Sequence, residues 1–386
     1  MKNLFRQGRI FVALSVALTT LSTHAFTQKD VDNIIKPLME QKQIPGMSVA
    51  ISVDGKHYIY HYGVQSKQSS VPVSDETLFE IGSLSKTFTA TLAAYAQNQG
   101  KLDFSQKVSH YLPELKGSAF DQVTVMNLAT HTSGLSLFVP DSITNSAELI
   151  RYYQQWKPTK AIGQYRSYSN LGVGLLGIVT AKQLKMPFEH AMEKLMLPAL
   201  GLKHTYIHVP KNQQKNYAQG YNKNDQPVRV TPQILDAESY GLKSNAKDLI
   251  RFLDINMQTK KVAKPWQEAV ENTHTGFYMT DSFMQDMMWE SYSWPVSLAQ
   301  LQQGNRDEMA LTPQKVEAIH PVMPPETQAF YNKTGSTNGF AAYAAFIPED
   351  RIAVVILSNK WYPIPDRITA TYQLIEKINE LVSDKD

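Results

Sequence analysis

The two ends of this chain carry strand patterns while its middle reads as helix, and that order limits the fold more than any other feature of the sequence. Residues 47–53 and 56–62 flank the turn pair Asp54-Gly55 and read as a β-hairpin. Near the other end, residues 341–347 and 352–357 flank Pro348-Glu349-Asp350 in the same way. Before the first hairpin, Val31, Ile34, Ile35, Leu38 and Met39 form the one-sided apolar stripe of a helix, which Pro45-Gly46 ends. After the second, Ile368, Tyr372, Ile375, Ile378 and Leu381 mark a last helix. The block between, from about residue 83 to 202, is mostly helical. Leu84, Phe88, Leu92 and Tyr95 mark one helix stopped by Gly100, and others are expected around 147–155, 171–184 and 188–195.

The expected fold is therefore α+β, an α/β sandwich. An antiparallel sheet is built from both chain ends and flanked by the terminal helices, with a mostly helical second lobe. No tandem repeat or low-complexity linker interrupts residues 26–386, so they read as one folded unit. The sheet lobe would take about 26–80 and 203–386, and the helical lobe about 83–202. A site is expected in the cleft between them.

Three short motifs sit at the boundaries of these elements. The first is Ser83-Leu84-Ser85-Lys86, opening the Leu84/Phe88 helix. A Ser and a Lys three apart share a helix face, so the Lys86 amine can reach the Ser83 hydroxyl. A serine hydroxyl is a poor nucleophile until a neighbouring base takes its proton. At a helix start, free N–H groups and the dipole also favour a developing oxyanion. The tetrad alone is a weak signal, because Ser244-Asn245-Ala246-Lys247 repeats it before the apolar run Leu249-Ile250, Phe252-Leu253. There the favoured reading is Ser244 as a helix N-cap.

Company separates the two. Tyr168-Ser169-Asn170 leads into the 171–184 helix, and Lys333-Thr334-Gly335-Ser336 precedes the 341–347 strand. Each has a bland reading: Tyr168 as packing, Asn170 as a cap, Lys333 as a solvated strand end. Their order after Ser-x-x-Lys is the signature of penicillin-recognising serine enzymes.

Over essentially all of residues 26–386 the chain resembles a class C β-lactamase. The match includes Pro45-Gly46-Met47, Glu80-Ile81-Gly82-Ser83, Leu128-Ala129-Thr130, Tyr240-Gly241, Lys333-Thr334-Gly335 and Ser358-Asn359-Lys360. The Ser-Asp-Asn triplet of class A is absent, as is the His-x-His-x-Asp of metal-dependent lactamases. The resemblance implies a β-lactamase/transpeptidase-like fold and a serine acyl-enzyme, with Ser83 as nucleophile and Lys86 with Tyr168 as its base. Both of these groups ordinarily titrate near pH 10, so one must be shifted down. Lys86 and Lys333 converging on Tyr168 would favour its phenolate, and the proton belongs to the coupled set.

The oxyanion would be held by the backbone N–H groups of Ser83 and Ser336. Asn170 would orient Lys86 and the substrate's side-chain amide. Lys333 and Thr334 of the Lys-Thr-Gly strand, with Gly335, would take the substrate carboxylate, with Arg367 a candidate second cation. Tyr240 belongs to the substrate-binding set by the same resemblance.

The chain departs from the family pattern in three places. Phe138 stands where a Gln commonly contacts the acylamido side chain, Ile364 where an Asn often helps hold the carboxylate, and Trp361 at another common Asn. These replace hydrogen-bonding groups by apolar area. Met279, Met284, Met287 and Met288 are read as core where the lobes meet, with a wall of the substrate cleft as the other reading.

The 386 residues carry 38 Lys+Arg against 35 Asp+Glu, a net of +3. Lys2, Arg6 and Arg9 account for all of it, since the remainder holds 35 of each sign. These bases precede the apolar run 10–21 and the small-residue end Ser22-Thr23-His24-Ala25, so residues 1–25 read as a secretory signal peptide cleaved after Ala25. A periplasmic, membrane-free, monomeric enzyme acting on a small-molecule β-lactam is expected, and nucleic acid is not expected as a partner.

The absence of Cys excludes disulfides, thiolate metal sites and a thiol nucleophile. The pairs His57/His61 and His204/His208 invite a metal reading, but a four-residue gap along a strand is about 13 Å. No metal and no cofactor are expected. Within the class, cephalosporins are the expected preference. A D-Ala-D-Ala carboxypeptidase or esterase of the same fold is the alternative, and a non-hydrolytic β-lactam or muropeptide sensor the more distant one.

Overall fold

The structure, a computed structural model, describes residues 26–383, with side chains through 380. The expected signal peptide lies outside the described residues. Helix α1 (Gln28–Lys42) opens the fold under a capping box in which Thr27 and Asp30 satisfy each other's backbone N–H groups. It ends on Gln43 in the left-handed conformation. The sheet strands are β1 (Gly46–Val53), β2 (Lys56–Gly63), β3 (Gly276–Met279), β4 (Met284–Gln285) and β5 (Glu290–Ser293). They continue with β6 (Glu317–Met323), β7 (Ala329–Ser336), β8 (Ala341–Ile347) and β9 (Ile352–Ser358). Nine strands pair in the order β6-β3-β4-β5-β7-β8-β9-β1-β2, all antiparallel. The N-terminal hairpin thus joins the C-terminal one through β1–β9 pairing, with Val49 opposite Ile356.

Alternation on these strands divides the core. Ala342, Ala344, Phe346, Ala353, Val355 and Leu357 face one cluster, while Ala341, Tyr343, Ala345, Val354 and Ile356 face the other. Both faces are covered, which is why β8 and β9 read as unbroken apolar runs. The outer face carries α1 and the last helix, residues 364–383. The inner face carries α2 (Ser85–Asn98) and continues without a break into α3 (Asn170–Leu184) through Leu92, Leu171 and Leu175. The helices α4 (Ala246–Asn256) and α5 (Lys264–Asn272) also lie on this side, with α5 packed on α2 through Tyr95 stacked on Trp266 at 3.8 Å. A sequence boundary at residue 203 therefore does not separate two cores: one hydrophobic cluster spans the inner sheet face and the helical block.

Two sequence readings change. The cap of α4 is Asn245, whose side chain accepts from Asp248 N–H, and not Ser244. Ser244 lies one residue earlier in a two-residue strand paired with Phe79–Glu80, where strand pairing fixes its backbone. Likewise Ser169, accepting from Gly172 N–H at 2.8 Å, caps α3 and leaves the Asn170 side chain free for other work. Met287 and Met288 are buried core, as the favoured reading had it, whereas Met279 is exposed. The histidine pairs are tied to protein groups: His61 to Asp75 and Ser48, His57 to Asp254, His208 to Glu189. Among the described residues no cluster could hold a metal ion, and no helix is long and apolar enough to cross a membrane.

Candidate active site

Ser83 sits in the 3₁₀ turn Gly82–Leu84 that leads into α2, and it makes no capping bond. The turn lies directly against the end of β7. A Cβ on Gly82 (φ +53°) would stand 2.4 Å from Ser336 N, and one on Gly335 would stand 1.9 Å from Ile81 O. Only glycine allows these two backbones to cross so closely, and the crossing brings the Ser83 turn to the Ser336 edge of the sheet. The Lys86 amine donates to Ser83 Oγ at 2.9 Å and to Ser239 O at 2.9 Å. Lys86 is fully buried, and burial holds its amine down at about 8, against the opposing pull of Tyr168.

Tyr168 follows the short strand Tyr165–Arg166, and its ring collects cations. Lys86 Nζ lies 5.0 Å, Lys333 Nζ 5.1 Å and Arg166 Cζ 5.3 Å from the ring centre. The hydroxyl is buried and has no hydrogen-bond partner of ordinary geometry, although Ser83 and Lys333 both approach it. Burial alone would raise its pKa. Lys333 and Lys86 overcome that and bring it down to about 8. Lys333 is buried and reaches this point from β7, its amine donating to Thr334 O at 3.0 Å. Asn170 begins α3, and its side-chain oxygen is buried without a partner.

Two cavities meet at Ser83, Tyr168 and Ser336. One, of about 490 Å³, is lined by Asn170, Tyr240, Phe138 and Arg229 among others. The Tyr240 hydroxyl donates to Gln233 within this wall. The other, of about 330 Å³, is lined by Lys333, Thr334, Arg306, Leu311 and Ile364 among others. Of the sequence candidates, Lys86, Gly335 and Arg367 line neither cavity; Lys86 bonds directly to Ser83, whereas Arg367 touches the site only through β7. It is fully buried behind β7, donating to Gly335 O and Ser336 Oγ at 2.8 Å each and to Tyr362 O. The expected second cation for the substrate carboxylate is corrected on this point: the guanidinium belongs to the last helix, and its hydrogen bonds go to the end of β7 and brace that strand. Trp361 also lies outside both cavities.

Sequence reasoning missed Arg166, Glu290 and His131. The His131 ring packs 4.4 Å from Tyr168, and its Nδ1 accepts from Ser169 N–H. Burial and the nearby Arg166 hold that imidazole neutral. Arg166 and Glu290 form a buried ion pair at 2.7 Å. None of the three belongs to a recognisable motif.

A serine hydroxyl on a lysine, beside a buried tyrosine flanked by cations on the edge of an antiparallel sheet, defines the penicillin-recognising serine hydrolases as a class. The family model described as Beta-lactamase matches residues 31–377. A β-lactamase of Providencia stuartii is 76% identical over 378 residues, covering 98% of each chain. The crystal structure of a class C β-lactamase in complex with cefoxitin is 50% identical at TM-score 0.89, covering 90% of this chain and 98% of that one. A D-alanine carboxypeptidase from Burkholderia cenocepacia is 44% identical at TM-score 0.87, with 90% and 98% covered. The chain belongs to the β-lactamase family. Within it the chain stands with the class C serine enzymes, which hydrolyse the β-lactam amide bond.

Proposed function

We propose that Ser83 Oγ attacks the β-lactam carbonyl and that the Lys86/Tyr168 pair takes its proton. The observation that carries this is the 2.9 Å bond from Lys86 to Ser83 beside a tyrosine whose hydroxyl is buried and whose ring is surrounded by cations. The C–N bond of the lactam opens as the tetrahedral intermediate collapses, the nitrogen takes the proton held by the pair, and an acyl-Ser83 ester remains. Water then attacks the ester, with Tyr168 receiving its proton and Ser83 leaving as the alcohol. The backbone N–H groups of Ser83 and Ser336 hold the oxyanion.

Lys333 and Thr334 bind the substrate carboxylate, and Gly335 gives the strand its close approach. Asn170 and Tyr240 line the arm that receives the acylamido side chain. An unpartnered buried polar atom costs about 1–3 kcal/mol, so the free side-chain oxygen of Asn170 fits a site that substrate completes. Phe138, 68% exposed over the same arm, offers apolar area where the family commonly offers an amide.

Cephalosporins are the proposed preference within β-lactams. The mature enzyme is exported to the periplasm after loss of residues 1–25, and acts as a monomer without cofactor, nucleic acid or membrane. A steady-state panel of penicillins, cephalosporins and a D-alanyl peptide tests this reading. Fast release of the acyl group from β-lactams supports it. Slow release with peptide cleavage instead supports D-alanyl carboxypeptidase activity, a second reading that the Burkholderia cenocepacia structure favours.

A further inference from the structure

Arg166 differs from the other cations over Tyr168 in having its own counter-ion. It is 1% exposed, and its Nη2 donates to Glu290 Oε1 at 2.7 Å, its Nε to Gln285 Oε1 and its Nη1 to Met309 O, both at 2.5 Å. Its guanidinium also lies 5.0 Å over the Phe283 ring. Burying two charges costs several kcal/mol per ion, and an apolar pair of equal volume often serves stability as well or better. Stability therefore does not account for an ion pair here, in the wall of the cavity that holds Lys333 and Thr334.

The connections of the pair are informative. Arg166 lies two residues before Tyr168, Gln285 is on β4, Glu290 on β5, and Met309 on the short helix Glu308–Leu311. Glu290 faces Asn332 across the β5–β7 ladder, next to Lys333, and accepts from the Asn332 amide through its carbonyl at 2.9 Å. We propose that the Arg166–Glu290 pair is a positioning device for Tyr168. It pins the segment that leads into the tyrosine to β5, the neighbour of the strand that carries Lys333, and it sets how much positive charge the phenol feels. This rests on the reading of Lys86 and Tyr168 as the base pair.

The charged and titratable groups facing the two side chains are few. Around Tyr168 are Lys86 from α2, Lys333 from β7, Arg166 from its own strand and the neutral His131 from the loop after residues 125–129. Around Arg166 are Glu290 and the Tyr292 phenol on β5, with Arg306 and Asp307 on the same cavity wall. Tyr292 stays protonated through burial. Among the described residues Glu290 is the carboxylate that pairs with this cluster, and removing Glu290 or Arg166 changes the charge near Tyr168 in opposite senses.

The test is the acidic limb of kcat/KM for a chromogenic β-lactam, together with the phenolate difference absorbance measured against Tyr168→Phe. In Glu290→Gln the guanidinium loses its counter-ion, the phenolate is favoured, and the acidic limb and the absorbance titration both move to lower pH by about one pH unit. In Arg166→Met the cation 5.3 Å from the ring is lost, the phenol is favoured, and both move to higher pH by a similar amount. Arg166→Lys restores the charge without the fork, so the limb returns toward wild type, while kcat falls in both Arg166 variants because the three bonds that hold the segment are lost.

Shifts in the same direction, or a lowered kcat with no shift in either folded variant, overturn the proposal. If Arg166→Met does not fold, the near-isosteric Glu290→Gln decides alone, and a limb that is unmoved or raised overturns it. Loss of the base-pair reading itself shows separately: wild type and Tyr168→Phe would then share the same absorbance titration near pH 8.

Discussion

The chain holds two Ser-x-x-Lys tetrads, and the short strands that lead into them pair with each other. Ser244 pairs with Phe79 in the short ladder whose other strand runs into the Ser83 turn. At Ser83 the lysine is fully buried and its amine donates to the serine. At Ser244 the serine is fully buried and shares its hydroxyl with Thr205 at 2.8 Å. Its Lys247 is half-exposed and pairs with Asp75 at 2.5 Å, away from the serine. The same spacing gives a candidate nucleophile in one place and a core hydrogen bond in the other. Spacing puts a lysine on the right helix face, but a base forms only where burial lowers that lysine and a cavity opens on the serine.

Substitutions at the paired positions sharpen the contrast. Ser83→Ala should lower kcat for any β-lactam by about 10⁴-fold or more, since the nucleophile is removed. Ser244→Ala should leave kcat/KM within about twofold and cost about 1 kcal/mol in denaturant unfolding, for one lost buried hydrogen bond. Lys86→Ala should lower acylation by about 10³-fold in stopped-flow measurements, the size of a lost general base. Lys247→Ala, which breaks a half-exposed ion pair, should change stability by less than about 1 kcal/mol.

The pH dependence follows from the charges. Tyr168 titrates at about 8 because Lys333 and Lys86 favour its phenolate against burial. In the proposed mechanism the competent form is the deprotonated one, so activity should be present above that pH and fall as pH drops through it. Lys333→Ala removes a cation, favours the phenol, and should move the acidic limb of kcat/KM upward by about one pH unit, besides raising KM. The smallest effect is expected at Phe138→Gln, which should reduce the advantage of aryl over small side chains in kcat/KM by about tenfold, the worth of a modest apolar area withdrawn from contact.

How much of this was legible in the sequence depends on range. The terminal helices, the two hairpins and the Ser83, Tyr168 and Lys333 motifs are local patterns, and each falls at an element boundary of the fold. The pairing of β1 with β9 could be anticipated because both were apolar runs needing a covered sheet. The strands between residues 276 and 323 could not, since β3 to β5 are only two to four residues long and carry no clear alternation. Arg166 and Glu290 meet across 124 residues, which no spacing rule spans. Arg367 shows the opposite failure. Its position matched the motif set, yet its environment closed it off from the cavities.

The most direct test is to quench the enzyme in acid during turnover of a slowly released penicillin, digest it, and locate the adduct by mass spectrometry. One acyl group on the peptide containing Ser83, lost in Ser83→Ala and retained in Ser244→Ala, is the expected result. An adduct on the Ser244 peptide, or undiminished turnover in Ser83→Ala, would contradict the account.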